Sequence, residues 1–163
     1  MKVEEYVVRQ VLPQNTWALR SAVLWPEKSA GPECRMDVDD APGVLHFGVF
    51  FGGALVSVGT FMPQRHPDLP EKVGYRLRAM ATHPEHRGRG CGRRLIREAE
   101  AELARLDQGG IWADARKGAL GFYAGLGWDV SGPFYEVPKR GPHRLVHTRF
   151  GVMINYSSIK YRV

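Results

Sequence analysis

Cysteine is scarce in this chain. Only Cys34 and Cys91 occur in 163 residues, too few for a disulfide framework and without the paired spacing of a zinc site. A reducing cytoplasm is therefore the expected setting, and no metal is expected. Also missing is any run of about 20 apolar residues, the length a membrane helix needs. The first stretch, MKVEEYVVRQ, carries two glutamates where a secretion signal needs an apolar core. Export and a membrane partner are set aside on these grounds. No internal repeat and no low-complexity segment is present.

What is there has ordinary globular proportions, 44% hydrophobic and 25% charged. The length fits one domain with a real core. We place that domain at residues 1–150, with 151–163 as a C-terminal tail of unassigned role. The net charge of +6 points to an anionic partner, either nucleic acid or a phosphate-rich cofactor.

Residues 14–25, QNTWALRSAVLW, suit a helix capped by Asn15 or Thr16 and stopped by Pro26. Residues 44–62 predict a hairpin. Gly52-Gly53 is its turn, of the kind that needs positive φ. Leu45, Phe47, Val49 and Phe51 fall on one strand face, His46 and Gly48 on the other. KVGYRLRAMAT, 72–82, is a third strand, on which Arg78, Met80 and Thr82 share a face. A long helix follows, with Leu95, Ile96, Ala99, Leu103 and Leu106 on its inner side. Outside, Arg94 pairs with Glu98, and Gly109-Gly110 forms the stop. IWADA is a strand, GALGFYAGLG a short helix ended by Gly127, and WDVSGPFYEV and RLVHTRF are two more strands. The order predicts a mixed α/β domain built on one central sheet.

The most informative stretch is HPEHRGRGCGRRLIREAEAEL, 83–103. Glycine weakens both helix and strand, yet Gly88, Gly90 and Gly92 stand where a helix is about to begin. A helix start exposes unpaired N–H groups at the positive end of its dipole, which together make an anion site. Absent side chains let a phosphate approach that backbone, and the arginines add charge. A P-loop needs G-K-[ST] at the helix start, and Gly92-Arg93-Arg94 stands there instead. The dinucleotide fingerprint G-x-G-x-x-G fails at Arg93, and it belongs to the first βα turn of a parallel sheet, whereas a hairpin comes first here.

The remaining pattern, R-x-x-G-x-G over 87–92, resembles the acetyl-CoA pyrophosphate motif of the GNAT superfamily of N-acetyltransferases. MATHPEHRGRGCGRRLI presents strand, turn, loop and helix in the family's order, and ALGFYAGLGW resembles its second segment. Arg116 stands where many members have asparagine, so that contact is not carried over. The resemblance implies the GNAT fold, a mixed central sheet with helices on both faces, and acetyl-CoA as co-substrate. It implies that Arg87, Gly88, Arg89, Gly90, Cys91, Gly92 and Arg93 form the pyrophosphate cradle. It further implies that the backbone of Met80, Ala81 and Thr82 binds the pantetheine arm, that N–H groups near Ala81 and Thr82 stabilise the oxyanion, and that Tyr123 is the acid protonating the leaving thiolate. Phe122, its neighbour, is expected in the core.

Cys91 sits at a helix N-terminus beside arginines, which should lower its pKa. Its motif position uses only the backbone, so it is not expected to be a nucleophile. His46 and Arg78 are candidate acceptor-site residues. For each a structural role stands beside this one: a core histidine with a hydrogen-bond partner, or an ion pair. DVDD, 37–40, reads as a solvated loop that could also attract a cationic amine. His143 and His147 read as surface or strand residues. The expected reaction is direct attack by a primary amine of a small molecule or peptide within a ternary complex. No glutamate stands on the third strand, so a water relay would deprotonate the amine. The alternative is a non-catalytic acyl-CoA sensor on the same fold. A nucleic-acid partner is not expected, and the chain is expected to be a monomer or homodimer.

Overall fold

The computed structural model describes residues 3–153. The chain runs through β1 (Tyr6–Gln10), α1 (Trp17–Leu19), β2 (Leu45–Phe51), β3 (Ala54–Pro63) and β4 (Tyr75–Thr82). There follow α2 (Cys91–Arg105), β5 (Gly110–Arg116), α3 (Leu120–Gly125), β6 (Asp129–Val137) and β7 (Gly141–Arg149). Among the described residues the seven strands form one sheet in the order β1-β2-β3-β4-β5-β7-β6. It is mixed: β4 and β5 are parallel, while β1–β2, β2–β3, β5–β7 and β6–β7 are antiparallel. The expected mixed α/β architecture is therefore present. Two compact units share it, Met1–Pro63 with Leu77–Ala99, and Gln64–Arg76 with Glu100–Val163.

In the first unit the predicted hairpin forms with Phe51 opposite Ala54. Gly52 and Gly53 take φ of +56° and +81° between them, the double positive turn that matches strand twist. The sequence reading missed β1. Its residues are mostly exposed or half-buried, so the strand lacks the apolar alternation that marks a buried face. The predicted helix at 14–25 is helical from Pro13 to Leu24 but irregular. A 3₁₀ turn at Pro13–Thr16 leads into α1, and a π turn at Arg20–Leu24 closes it.

Neighbouring residues of β3 show which helix covers which face. Val58 packs with Leu19 of the α1 segment, whereas a side chain at Gly59 would meet Leu95 of α2 at 3.0 Å. Successive strand residues point to opposite faces, so the two helices lie on opposite sides of this part of the sheet. Leu77 of β4 is on the α2 side, 3.5 Å from the same Gly59 position, yet Ala81 joins Leu19 and Val58 on the α1 side. Residues four apart in a regular strand share a face, so the alternation breaks between them. Ala79, at φ +51°, is the break, a conformation uncommon for a residue with a Cβ. Thr82 accordingly reaches Ser57 on the α2 side, hydroxyl to hydroxyl at 2.8 Å. The expectation that Arg78, Met80 and Thr82 share one face is corrected: Arg78 precedes the break, and the other two follow it.

Leu95, Ile96, Ala99 and Leu103 of α2 are fully buried, as its periodicity predicts, but Leu106 is exposed. The helix ends at Arg105, earlier than the glycine pair, and Asp107 takes the left-handed conformation at φ +59°.

In the second unit Gly109 and Gly110 answer to close packing rather than to a helix stop. A Cβ would lie 2.5 Å from the Lys72 carbonyl oxygen at Gly109 and would collide with that of Thr148 at Gly110. Val73, Trp112 and Leu145 form a core cluster with Leu69 against it. The Trp112 indole N–H donates to the Gln64 carbonyl at 2.7 Å.

Candidate active site

The loop between β4 and α2 is built from local turn chemistry. His83 accepts at Nδ1 from the Glu85 N–H at 3.1 Å, and Pro84–His86 form one 3₁₀ turn. Gly88 and Gly90 then take φ of +72° and +81°, which a residue with a Cβ adopts only under strain. Nothing lies within 4 Å of the Cβ position at Gly88, so the space above that backbone is open. Gly92 differs from the other two, being the second residue of α2 with no positive φ.

The first N–H to enter the helical ladder is that of Arg94, which donates to Gly90 O at 3.0 Å. The N–H groups of Cys91, Gly92 and Arg93 precede it and have no helical carbonyl to bond. Arg87, Arg89 and Arg93 are exposed around them. Unpaired donors, the positive dipole end and three exposed cations suit a pyrophosphate. Arg94 does not make the predicted pair with Glu98. Its guanidinium donates to Arg89 O at 3.0 Å and lies 5.3 Å from the Tyr6 ring centre.

Cys91 is only 2% exposed. Burial raises its thiol pKa and outweighs the pull of Arg94 and Arg89 in the other direction. The expectation of a lowered pKa is corrected, and a buried neutral thiol is a poor nucleophile. Ahead of the loop, Ala81 is buried and Met80 and Thr82 are half-buried.

The aromatic pair in the second unit is swapped relative to expectation. Phe122 is 36% exposed and Tyr123 only 6%. Their divergence is as the helical period requires, but α3 is rotated so that Tyr123 turns inward against Trp128, ring centres 5.1 Å apart. Burial raises the Tyr123 phenol well above its ordinary value. Its hydroxyl has no hydrogen-bond partner among the described residues.

His46 is a core histidine. It is 4% exposed; its Nδ1 meets Thr60 Oγ1 at 2.8 Å and its Nε2 meets Asp39 O at 3.0 Å. Both ring nitrogens are engaged inside the protein, so the acceptor-site reading of His46 is withdrawn. Asp39 is no solvated loop residue. It receives both terminal nitrogens of the fully buried Arg20, at 2.6 and 2.9 Å. Arg20 also donates to Thr60 Oγ1 and Cys34 O. Burial alone would raise the Asp39 carboxyl; the bond from Arg20, the Met36 N–H, the Arg20 charge and His46 together hold it below its usual range. Sequence reasoning missed this network, whose only signal was an arginine amid the apolar residues of a helix. Arg78 is half-buried on β4. His143 and His147 lie buried on β7.

A family model described as the acetyltransferase (GNAT) family matches residues 12–128. The chain belongs to the GNAT family. That makes it an acyltransferase, and the glycine loop falls inside the matched span. An uncharacterized N-acetyltransferase of Bacillus subtilis, YitI, is 36% identical over 140 residues, covering 86% of this chain and 93% of that one. Solved GNAT-like structures share the fold. An aminoglycoside 6'-N-acetyltransferase complexed with coenzyme A superposes with a TM-score of 0.70 at 15% identity, covering 88% of this chain and 96% of that one. A Salmonella typhimurium protein solved with acetyl-CoA gives 0.68 at 16% identity, covering 88% and 93%. Among the described residues no helix is long and apolar enough to cross a membrane, and no cluster of metal-ligating side chains occurs.

Proposed function

We propose that the chain transfers the acetyl group of acetyl-CoA to a primary amine of a small molecule or peptide, by direct attack within a ternary complex. The observation that carries this reading is the loop at 88–93, where positive-φ glycines, with open space above Gly88, lead into a helix start whose N–H groups lie among exposed arginines. The thioester supplies an activated acyl carbon. The amine nitrogen bonds to that carbon, the carbon–sulfur bond breaks, and the sulfur leaves as a thiolate that needs a proton.

Arg87, Gly88, Arg89, Gly90, Cys91, Gly92 and Arg93 would hold the pyrophosphate, mainly through backbone N–H groups. Met80, Ala81 and Thr82 would align the pantetheine arm along the end of β4, and backbone N–H groups near Ala81 and Thr82 would donate to the developing oxyanion. Tyr123 is assigned to the departing sulfur on its place in the motif and on its unengaged hydroxyl. A phenol held above 10, against a thiol near 8.5, would give up its proton fully only at a cost of more than about 2 kcal/mol. Its main contribution is therefore a hydrogen bond to the sulfur while charge develops there. Arg78 is kept as an acceptor-side residue that would meet an acidic group. Water would carry the proton lost by the amine, a task easier for an α-amino group of pKa ~8 than for a lysine of ~10.4.

The test is acetyl-CoA-dependent release of free thiol across a panel of amines, peptides, polyamines and aminosugars. Saturable CoA binding with no turnover on any acceptor would turn the reading into that of an acyl-CoA sensor. With an acceptor in hand, Tyr123→Phe should lower kcat by about 10²-fold, the low end for a positioned proton donor, with CoA affinity retained. Turnover near wild type would show that the departing sulfur draws neither a hydrogen bond nor a proton from Tyr123, leaving both to water.

A further inference from the structure

The glycine loop is closed by groups far from it in sequence. Tyr6 stands on β1, outside the span the family model matches, residues 12–128. Its hydroxyl meets His86 Nδ1 at 2.9 Å across 80 residues of sequence. The Tyr6 ring packs on Phe51 at 4.6 Å between centres, and Phe51 packs on the His86 ring at 5.1 Å. Arg94 lies over Tyr6, 5.3 Å from its centre, and donates to Arg89 O at 3.0 Å. The His86 carbonyl accepts from Cys91 Sγ at 3.7 Å. The contacts form a ring: Tyr6 to His86, His86 to Cys91, up the helix to Arg94, and from Arg94 back to Tyr6 and to the loop backbone at Arg89.

We infer that Tyr6 is a positioning residue of the cofactor cradle, and that β1 serves as the brace fixing the loop in its anion-binding conformation. The inference rests on the reading of 87–93 as the pyrophosphate cradle. The physical case is one of pre-organisation. Gly88 and Gly90 are free to adopt many conformations, and only one of them aims the N–H groups of the helix start outward in common. Local sequence cannot hold that conformation, because glycine supplies no side chain to pack. Tyr6 does so from outside, fixing the residue before the loop through His86 and the residue after it through Arg94. A ligand then binds a site already arranged, without first having to order it. Arg94 is exposed like its neighbours Arg89 and Arg93 but differs from them in that its guanidinium reaches back to the loop backbone at Arg89.

Two variants separate the parts. Tyr6→Phe keeps the ring under Arg94 and loses the bond to His86. Tyr6→Leu loses both. CoA affinity by calorimetry, and KM for acetyl-CoA against kcat, are measured with melting temperature on the same preparations. Tyr6→Phe should weaken CoA binding by about 2–10-fold, the range of one hydrogen bond. Tyr6→Leu should weaken it further, by about another 2–5-fold for the cation–ring contact. KM for acetyl-CoA should rise in step, with kcat at saturation nearly unchanged. A lower melting temperature with unchanged CoA affinity and KM would mark Tyr6 as structural and overturn the inference. If Tyr6→Leu does not fold, Tyr6→Phe decides alone. Gly90→Glu is the control for the underlying reading. If it abolishes CoA binding while both Tyr6 variants bind normally, the brace fails and the cradle stands. If it leaves CoA binding intact, cradle and brace fall together.

Discussion

Two arginine-bearing regions of the first unit do opposite things. In the loop at 87–93 the arginines are exposed, the glycines carry no side chain, and the chemistry belongs to the backbone. In the network around Arg20 one guanidinium has no exposure at all, and every bond has a side chain on at least one end: Asp39 and Thr60 below it, and His46 closing onto both Thr60 and the Asp39 carbonyl. The first arrangement leaves donors open for something from outside. The second spends nearly every polar atom on the protein itself, the Arg20 Nε being the exception. Arginine content therefore says little about function until the partner of each guanidinium is known.

That contrast can be broken experimentally, and the largest effect belongs to the loop. Gly90→Glu puts a carboxylate among the unpaired N–H groups. CoA affinity should fall by about 100-fold or more, since placing like charges together costs several kcal/mol. Gly90→Ala carries the same left-handed backbone strain, about 1–2 kcal/mol, without the charge. Comparing the two by calorimetry isolates the electrostatic part, and equal losses in both would mean the loop acts only through its shape.

The network should answer in stability instead. Arg20→Ala strands the Asp39 carboxylate in the core and should cost about 3–5 kcal/mol in urea unfolding. CoA affinity of the molecules that remain folded should hold. Loss of affinity without loss of stability would assign Arg20 to the binding machinery and erase the distinction.

Acid titration gives a smaller and more specific signal. Asp39 has a folded-state pKa below its unfolded value. Its contribution is thus fully present above the ordinary carboxylate pKa of about 3.9. It is lost as pH falls through the depressed folded value, because the unfolded state takes up the proton first. Unfolding free energy measured from pH 6 downward should decline in that acid window, and Asp39→Asn should flatten this part of the decline. An unaltered profile would mean other carboxylates govern acid unfolding.

The smallest effect is expected at Cys91. Cys91→Ala removes a buried thiol whose backbone alone faces the loop, so turnover on the best acceptor should stay within a few-fold of wild type. A dead variant, with an acetylated Cys91 trapped by mass spectrometry, would instead establish a covalent route.

The loop was legible in the sequence because its physics is local. Glycines, arginines and the helix start lie within a dozen residues, and helix periodicity fixes where the start must be. The α2 core face was legible for the same reason. The network was not, because its pairs are 19 and 40 residues apart, and a lone arginine in a helical pattern reads as a surface residue. The Tyr6–His86 contact, 80 residues apart, left no trace at all, since β1 is too exposed to show alternation. In α3 the angle between Phe122 and Tyr123 followed from helical geometry. Which of them faces inward did not, because that depends on packing with Trp128. The predicted tail lies mostly outside the described residues, so 154–163 adds nothing to this account.

Ala79 acts on β4 as an inserted letter acts on a reading frame. Before it, odd-numbered residues address the α2 side; after it, they address the α1 side. The last three residues of the strand are thereby out of phase with the first four. Removing Ala79 would restore a regular alternation, with Leu77 and Met80 toward the α2 side and Ala81 still toward the α1 side against Leu19 and Val58. A deletion there would leave the faces of Met80, Ala81 and Thr82 unchanged while shortening the strand by one residue, whereas Ala79→Gly would keep the length and relieve only the strained angle. The strand end proposed to carry the pantetheine arm is thus set out of phase with the rest of β4 by one residue whose side chain the proposal never uses.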